Sequence, residues 1–156
     1  YSWDIINGLY HVDPPFNRTT FMMNGKEVSL VSHPTLGIHA NTGITFDLQE
    51  ISRALNGAKI TAFTGDCGFD SELIRHEEKY IKLHTKADIT VLVDGEVVFE
   101  KKFLDLADGF VPVNIKFKEN ARFLTLVTTN SVGEKSSYLS WVLWAKPTIH
   151  LTTNSH

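Results

Sequence analysis

His39 and Asn41 stand two apart in the segment Gly37-Ile38-His39-Ala40-Asn41-Thr42-Gly43. On an extended chain, residues at that spacing point the same way. An imidazole beside an amide supplies donors and acceptors suited to neighbouring sugar hydroxyls. The same two residues can equally cap a sheet edge and close a turn. A second cluster, Gly65-Asp66-Cys67-Gly68-Phe69-Asp70-Ser71-Glu72, brings Asp66, Asp70 and Glu72 together beside glycines. Such a loop can bind Ca²⁺, which prefers oxygen ligands. It can also accept from sugar hydroxyls, or be a solvated loop of Asx-turns; its spacing does not fit an EF-hand. The third cluster is aromatic: Tyr138, Trp141 and Trp144. A flat apolar ring flanked by hydrogen-bonding groups suits the C–H face of a pyranose. On a strand Tyr138 and Trp144 share one face and Trp141 takes the other, so one indole is expected at the ligand and the other in the core.

Other chemistries find less support. His33 and His39 are separated by five residues, His76 and His84 stand alone, and no His-Glu-x-x-His pattern occurs. Cys67 is the only cysteine, which excludes an intrachain disulfide and a thiolate zinc cluster, and a buried structural thiol is expected. The Gly-x-Ser-x-Gly nucleophile pattern is absent. Asn17-Arg18-Thr19 fits a glycosylation acceptor.

The elements that must position these groups read as β-structure. Thr19 to Met23, Asn24-Gly25 and Lys26 to Val31 predict a hairpin with a two-residue turn. Ile44, Phe46 and Leu48 alternate with polar residues, and a short helix is expected over Gln49 to Leu55, with Ile51 and Leu55 on one face and Asn56-Gly57 ending it. Lys59 to Thr64 predicts a strand, followed by loop from Gly65 to Glu72. A second hairpin spans Asp88 to Phe103 around Asp94-Gly95, with Ile89, Val91 and Val93 on one face and Val97 and Phe99 sharing a face on the return strand. Val111 to Phe117, Arg122 to Thr128, and an extended tail from Tyr138 to Leu151 interrupted at Pro147 complete the set. Short strands at this spacing with one short helix predict an all-β antiparallel sandwich, a jelly roll.

One domain is expected over 1–156: an irregular N-terminal segment 1–18, which carries Pro14-Pro15, and a β-sandwich 19–151. The chain has 156 residues, is 42% hydrophobic and 21% charged, and has a net charge of −3. That composition suits a globular fold, and the lack of a basic block argues against a nucleic-acid partner. No apolar run approaches the length of a membrane span, so no membrane insertion is expected. The chain opens abruptly at Tyr1-Ser2-Trp3, as a processed or excised fragment would.

The segment Gly37-Ile38-His39-Ala40-Asn41, running into Ile44 to Asp47-Leu48, resembles the NPCBM family, which overlaps carbohydrate-binding module family 51. The resemblance continues in order through Thr64-Gly65-Asp66 to Glu72, through Ile89 to Val93 with Asp94-Gly95 and Val97-Val98, through Arg122 to Val127, and to Trp144-Ala145-Lys146-Pro147. It covers about Phe16 to Leu151. It implies a galactose-binding-like jelly roll that binds galactose-type or related glycans. It also implies a module attached to other domains of a larger secreted or extracellular bacterial protein, without catalysis of its own. By resemblance His39, Asn41, Asp66 and Asp70 line the sugar site near Trp144, with Tyr138 a further aromatic candidate and a structural Ca²⁺ as the one cofactor to consider. Where the family often carries acids before the terminal tryptophan, this chain has Ser140 and Leu143. That departure motivates a second reading, a protein-interaction or scaffold domain with the sugar site lost. A hydrolase using loop carboxylates is the third.

Overall fold

Turn chemistry and alternation set the elements. The computed structural model describes residues 20–71, 86–131 and 141–152. The segment 1–18, the Asn17 acceptor sequence, His76, His84, Tyr138 and Ser140 lie outside them. Strands β1 (Thr20–Met23) and β2 (Lys26–Ser29) pair antiparallel with Met23 opposite Lys26. Between them Asn24 and Gly25 have φ of 51° and 75°, the doubly positive geometry that Asn-Gly accommodates. β6 (Ala87–Val93) and β7 (Glu96–Leu104) use the same device at Asp94-Gly95, φ 51° and 84°.

The remaining strands are β3 (Thr35–His39), β4 (Thr42–Asp47), β5 (Lys59–Gly68), β8 (Val111–Lys116), β9 (Phe123–Asn130) and β10 (Trp141–Thr152). Among the described residues they form two four-stranded sheets, β3-β10-β5-β8 and β4-β9-β6-β7, with every pairing antiparallel. This is the sandwich expected from the sequence. The inward faces supply one core, which includes Phe63, Cys67, Ile89, Val91, Leu126 and Trp144. Alternation explains the membership: Ile89, Val91 and Val93 are buried, as their shared face requires.

The outer face of the first sheet is covered as well. A smaller cluster joins Phe21 and Leu30 from the β1–β2 hairpin to Phe110, Leu143 and Ala145. Three polar bonds tie the hairpin down or shape its seat. The Met22 N–H donates to Asp70 Oδ1 at 3.0 Å, the Phe110 N–H donates to Asn24 Oδ1 at 2.7 Å, and the Lys146 N–H donates to Pro34 O at 2.8 Å.

Three expectations are corrected. Gly65 to Gly68 is not loop but the end of β5. Gly68 serves close approach rather than flexibility: a Cβ there would lie 2.8 Å from Gly109 O and from the Phe110 ring. Val97 and Phe99 do not share a face, because the register slips between Val91–Phe99 and Leu92–Val97. The extra residue leaves Val97 exposed while Phe99 packs on the core. The helix α1 covers Leu48–Ala54 and is capped by Asp47, whose side chain accepts from the N–H groups of Gln49 and Glu50. Leu55 falls beyond it and is exposed; the capped start shifts the packed residues to Leu48 and Ile51.

Two outcomes follow from this packing. Gly68→Ala must move the Gly109 carbonyl and the Phe110 ring and should cost about 1–3 kcal/mol in chemical denaturation. Burial pushes the Cys67 thiol up to about 12 from 9.0. A thiol whose pKa rises on folding contributes stability that is complete below 9.0 and is lost as pH climbs towards 12. Cys67 should therefore resist an aromatic disulfide reagent in the folded protein at about pH 8.5 and react on unfolding. Cys67→Ala should flatten the alkaline decline in stability.

Candidate functional site

Antiparallel register brings two distant segments together. On β3, Ile38 faces the core, so period-two alternation sends Gly37 and His39 to the outer face. On β10, Val142 and Trp144 face the core, so Trp141 and Leu143 face outwards. His39 and Trp141 are direct register partners. Their rings lie 5.6 Å apart between centroids and nearly perpendicular, at 81°, within the favourable range for edge-on aromatic contact. Both residues are half-buried.

The link between the sheets lies next to them. Ala40 is buried and Asn41 takes a left-handed turn, φ 63°, to carry the chain from β3 into β4 of the opposite sheet. Asparagine tolerates that conformation better than most residues. The Asn130 N–H at the end of β9 donates to Asn41 Oδ1 at 3.2 Å, so the exposed Asn41 presents its amide N–H₂ as donor. The Thr42 hydroxyl donates to His39 O and closes the turn from the other side. The turn-closing reading of Asn41 therefore holds, while the expectation that His39 and Asn41 point the same way from one extended segment does not, because Asn41 leaves β3 in a left-handed turn.

The His39 ring has a defined tautomer. Its Nδ1 lies 3.2 Å from Ala40 O; a carbonyl only accepts, so Nδ1 carries the hydrogen and Nε2 of the neutral ring is an acceptor. At the end of the sandwich the chain thus sets an acceptor at His39, donors at Asn41 and an apolar ring at Trp141. Those are the kinds of group that sugar hydroxyls and the C–H face of a pyranose would meet.

Other sequence candidates fall elsewhere. Trp144 is not a platform: it has no exposed surface, packs 5.7 Å from Phe63 between centroids, and has its indole Nε1 buried without a hydrogen-bond partner among the described residues. Its inward position is what leaves the surface to Trp141. Asp70 is buried, 2% exposed, and anchors the β1–β2 hairpin through Met22, so it serves packing of the fold. Asp66 is half-buried on β5, in the rung of Ala145, four residues along β10 from Trp141 and so about 13 Å away. Among the described residues no three His, Cys, Asp or Glu side chains gather as a metal cage. Two residues escaped sequence reasoning. Asp88, 8% exposed, accepts from the Phe103 N–H at 2.9 Å and the Ser131 hydroxyl at 2.6 Å. Phe103 itself is 49% exposed with φ 53°. Neither carries a pattern that a single sequence reveals.

Comparison with known proteins agrees with this architecture. The family model described as NPCBM/NEW2 domain matches residues 23–150. Among solved structures, the CBM51 from Clostridium perfringens GH95, in complex with methyl-galactose, superposes with a TM-score of 0.64 at 18% identity, covering 86% of this chain and 81% of that one. The CBM51-2 of Clostridium perfringens ZmpB, solved with GlcNAc and INT domains, gives 0.62 at 15% identity, over 86% of this chain and 26% of that one. The tandem CBM51 modules of Sp3GH98, the family 98 glycoside hydrolase from Streptococcus pneumoniae SP3-BS71, give 0.61 at 16%, over 87% and 36%. No curated protein matches. At these identities the structural likeness is one of fold.

Asn41→Ala removes the bond to Asn130 and places a Cβ residue at positive φ without compensation. It should destabilise the protein by about 1–3 kcal/mol in thermal or chemical unfolding. Asn41→Gly, which relieves the φ cost, should lose less.

Proposed function

This chain belongs to the NPCBM/NEW2 domain family, and on that footing we propose that it is a non-catalytic carbohydrate-binding module, accessory to a glycan-active protein. The observation that carries the reading is the His39–Trp141 pair, a ring contact at 5.6 Å on the outer face with Asn41 beside it. A pyranose stacked on the Trp141 indole would place hydroxyls against His39 Nε2 and the Asn41 amide. The galactose-type preference is drawn from the relative solved with methyl-galactose, and the relative solved with GlcNAc supplies the competing probe. The bacterial glycoside-hydrolase setting of such relatives supports a secreted location and neighbouring domains.

The catalytic alternative would use the loop carboxylates Asp66, Asp70 and Glu72, of which Glu72 lies outside the described residues and Asp66 is half-buried near the end of β5. Asp70 is moreover buried and committed to Met22. The scaffold alternative keeps one specific support. Leu143, where the family resemblance expects an acid, is 1% exposed beneath the β1–β2 hairpin and supplies no polar group to a ligand.

Affinity for a monosaccharide should be weak, on the order of 0.1–1 mM, because few apolar contacts accompany hydroxyl bonds that water also makes. Titration of the isotope-labelled protein with methyl-galactose and with GlcNAc should shift the amides of β3, the Ala40-Asn41 link and the start of β10. His39→Ala should weaken binding about tenfold or more with the melting curve nearly in place. Trp141→Ala, which also removes packing against the Phe21–Leu30–Phe110 cluster, should weaken binding and lower stability by about 1–3 kcal/mol. No shift with either sugar at about 10 mM, well above the expected range, would turn the assignment to the scaffold reading.

A further inference from the structure

The β1–β2 hairpin is a two-stranded sheet of its own, separate from the two sheets of the sandwich. Two strands alone are marginal in water, so its placement depends on what it rests on and what ties it there. It rests through Phe21 and Leu30 on Phe110, Leu143 and Ala145. Trp141, half-buried, packs against that same cluster.

Register shows how the contact runs. Trp141 and Leu143 leave the same face of β10, two residues apart. Leu143 is the register partner of Gly68, where a Cβ would meet the Phe110 ring at 2.8 Å. Phe110 in turn meets Phe21 of β1, with 5.7 Å between ring centroids. The Trp141 indole therefore has two supports on the outer face. One is the His39 ring, 5.6 Å away and nearly perpendicular to it; the other is the cluster beneath the hairpin.

One exposed side chain fixes the hairpin's turn to this cluster. Asn24 Oδ1 accepts from the N–H of buried Phe110 at 2.7 Å. Gly109 leaves the amide its room, since a Cβ there would lie 2.5 Å from the same oxygen. Asn24 also holds a φ of 51°, but a two-residue turn of this kind forms as well with Gly-Gly or Asp-Gly. The turn alone does not require the acceptor; Phe110 does.

We infer that Asn24 is a positioning residue for the sugar site, acting through Phe110 and the hairpin cluster on the orientation of the Trp141 indole. The inference rests on the carbohydrate-binding reading and deepens it: stacking strength is set in part by a turn that the sugar need not touch. A ring already held by packing spares the ligand the cost of ordering it. Loss of one of the two supports should weaken sugar binding about two- to tenfold, the equivalent of one side chain left to be ordered.

Titration of isotope-labelled protein with methyl-galactose and with GlcNAc, reading whichever binds more tightly, tests this. The Trp141 indole N–H signal, identified by its loss in Trp141→Phe, is followed alongside. Asn24→Gly keeps the turn and removes the acceptor. It should raise Kd about two- to tenfold and shift or broaden the indole signal. Asn24→Asp keeps the acceptor, tolerates positive φ, and should restore both. Phe21→Leu trims the cluster from the hairpin's side with the turn intact. It should act in the same direction, and it is the variant to read if Asn24→Gly folds poorly. Asp94→Gly makes the matching change in the other hairpin, losing the bonds from the Arg122 and Phe123 N–H groups at a turn of positive φ. Asp94 lies seven residues along β6 from Ala87, the register partner of Asn130 beside Asn41, and so about 23 Å from that end. Asp94→Gly should lower the melting temperature yet leave Kd and the indole signal in place. Wild-type affinity in folded Asn24→Gly or in Phe21→Leu overturns the inference. An equal loss of affinity in Asp94→Gly overturns it too, since binding would then follow stability alone. A wild type that binds neither sugar overturns the module reading together with it.

Discussion

The alternation of side chains on β10 is the constraint from which the rest of the site follows. Trp141 and Trp144 are an odd number of residues apart on one strand, so they cannot face the same side. Packing Trp144 against Phe63, with no exposure, commits Trp141 to the outer surface. Because β10 lies between β3 and β5, that same commitment sets Trp141 opposite His39. The core and the rim are thus two readings of one strand. A one-residue slip would exchange them and destroy both.

Glycine and aspartate do much of the remaining positioning, each for a local reason. Gly68 leaves room for Phe110 and Gly109, and that room lets the β1–β2 hairpin settle over Leu143 and Ala145. Asp70 and Asp88 are both buried, yet neither is an orphan charge: one receives Met22 and the other receives Phe103 and Ser131. Burying a carboxylate is tolerable when backbone and hydroxyl donors satisfy it. Acids that read as ligands in a linear sequence are here fasteners between segments.

Local rules carried much of the fold. Asn24-Gly25 and Asp94-Gly95 have the positive φ angles their residue types announce, and the alternation of Ile89, Val91 and Val93 correctly identified a buried face. The failures share a cause. Gly65 to Gly68 read as loop on its glycines, although the demand for a small residue at Gly68 comes from Gly109 and Phe110, far along the chain. Val97 and Phe103 were misplaced or missed because a bulge shifts register without leaving a mark in composition. Of the candidate site, the spacing of His39 and Asn41 suggested one shared face, whereas Asn41 turns out of β3 with φ 63°, a change that spacing alone does not mark. The choice of Trp141 over Trp144 was not legible either, since only the packing of two sheets decides which indole is sealed.

The β1–β2 hairpin also bears on where this module can be cut. The NPCBM/NEW2 match begins at residue 23, the last residue of β1. A recombinant fragment started there would keep β2 and discard its partner, together with Phe21, the 1%-exposed side chain that packs on Phe110. Leu143 and Ala145 would lose part of their roof, and the outer sheet would present a greasy face to solvent. Insolubility in such a fragment would report the position of the scissors and say nothing about the sugar site.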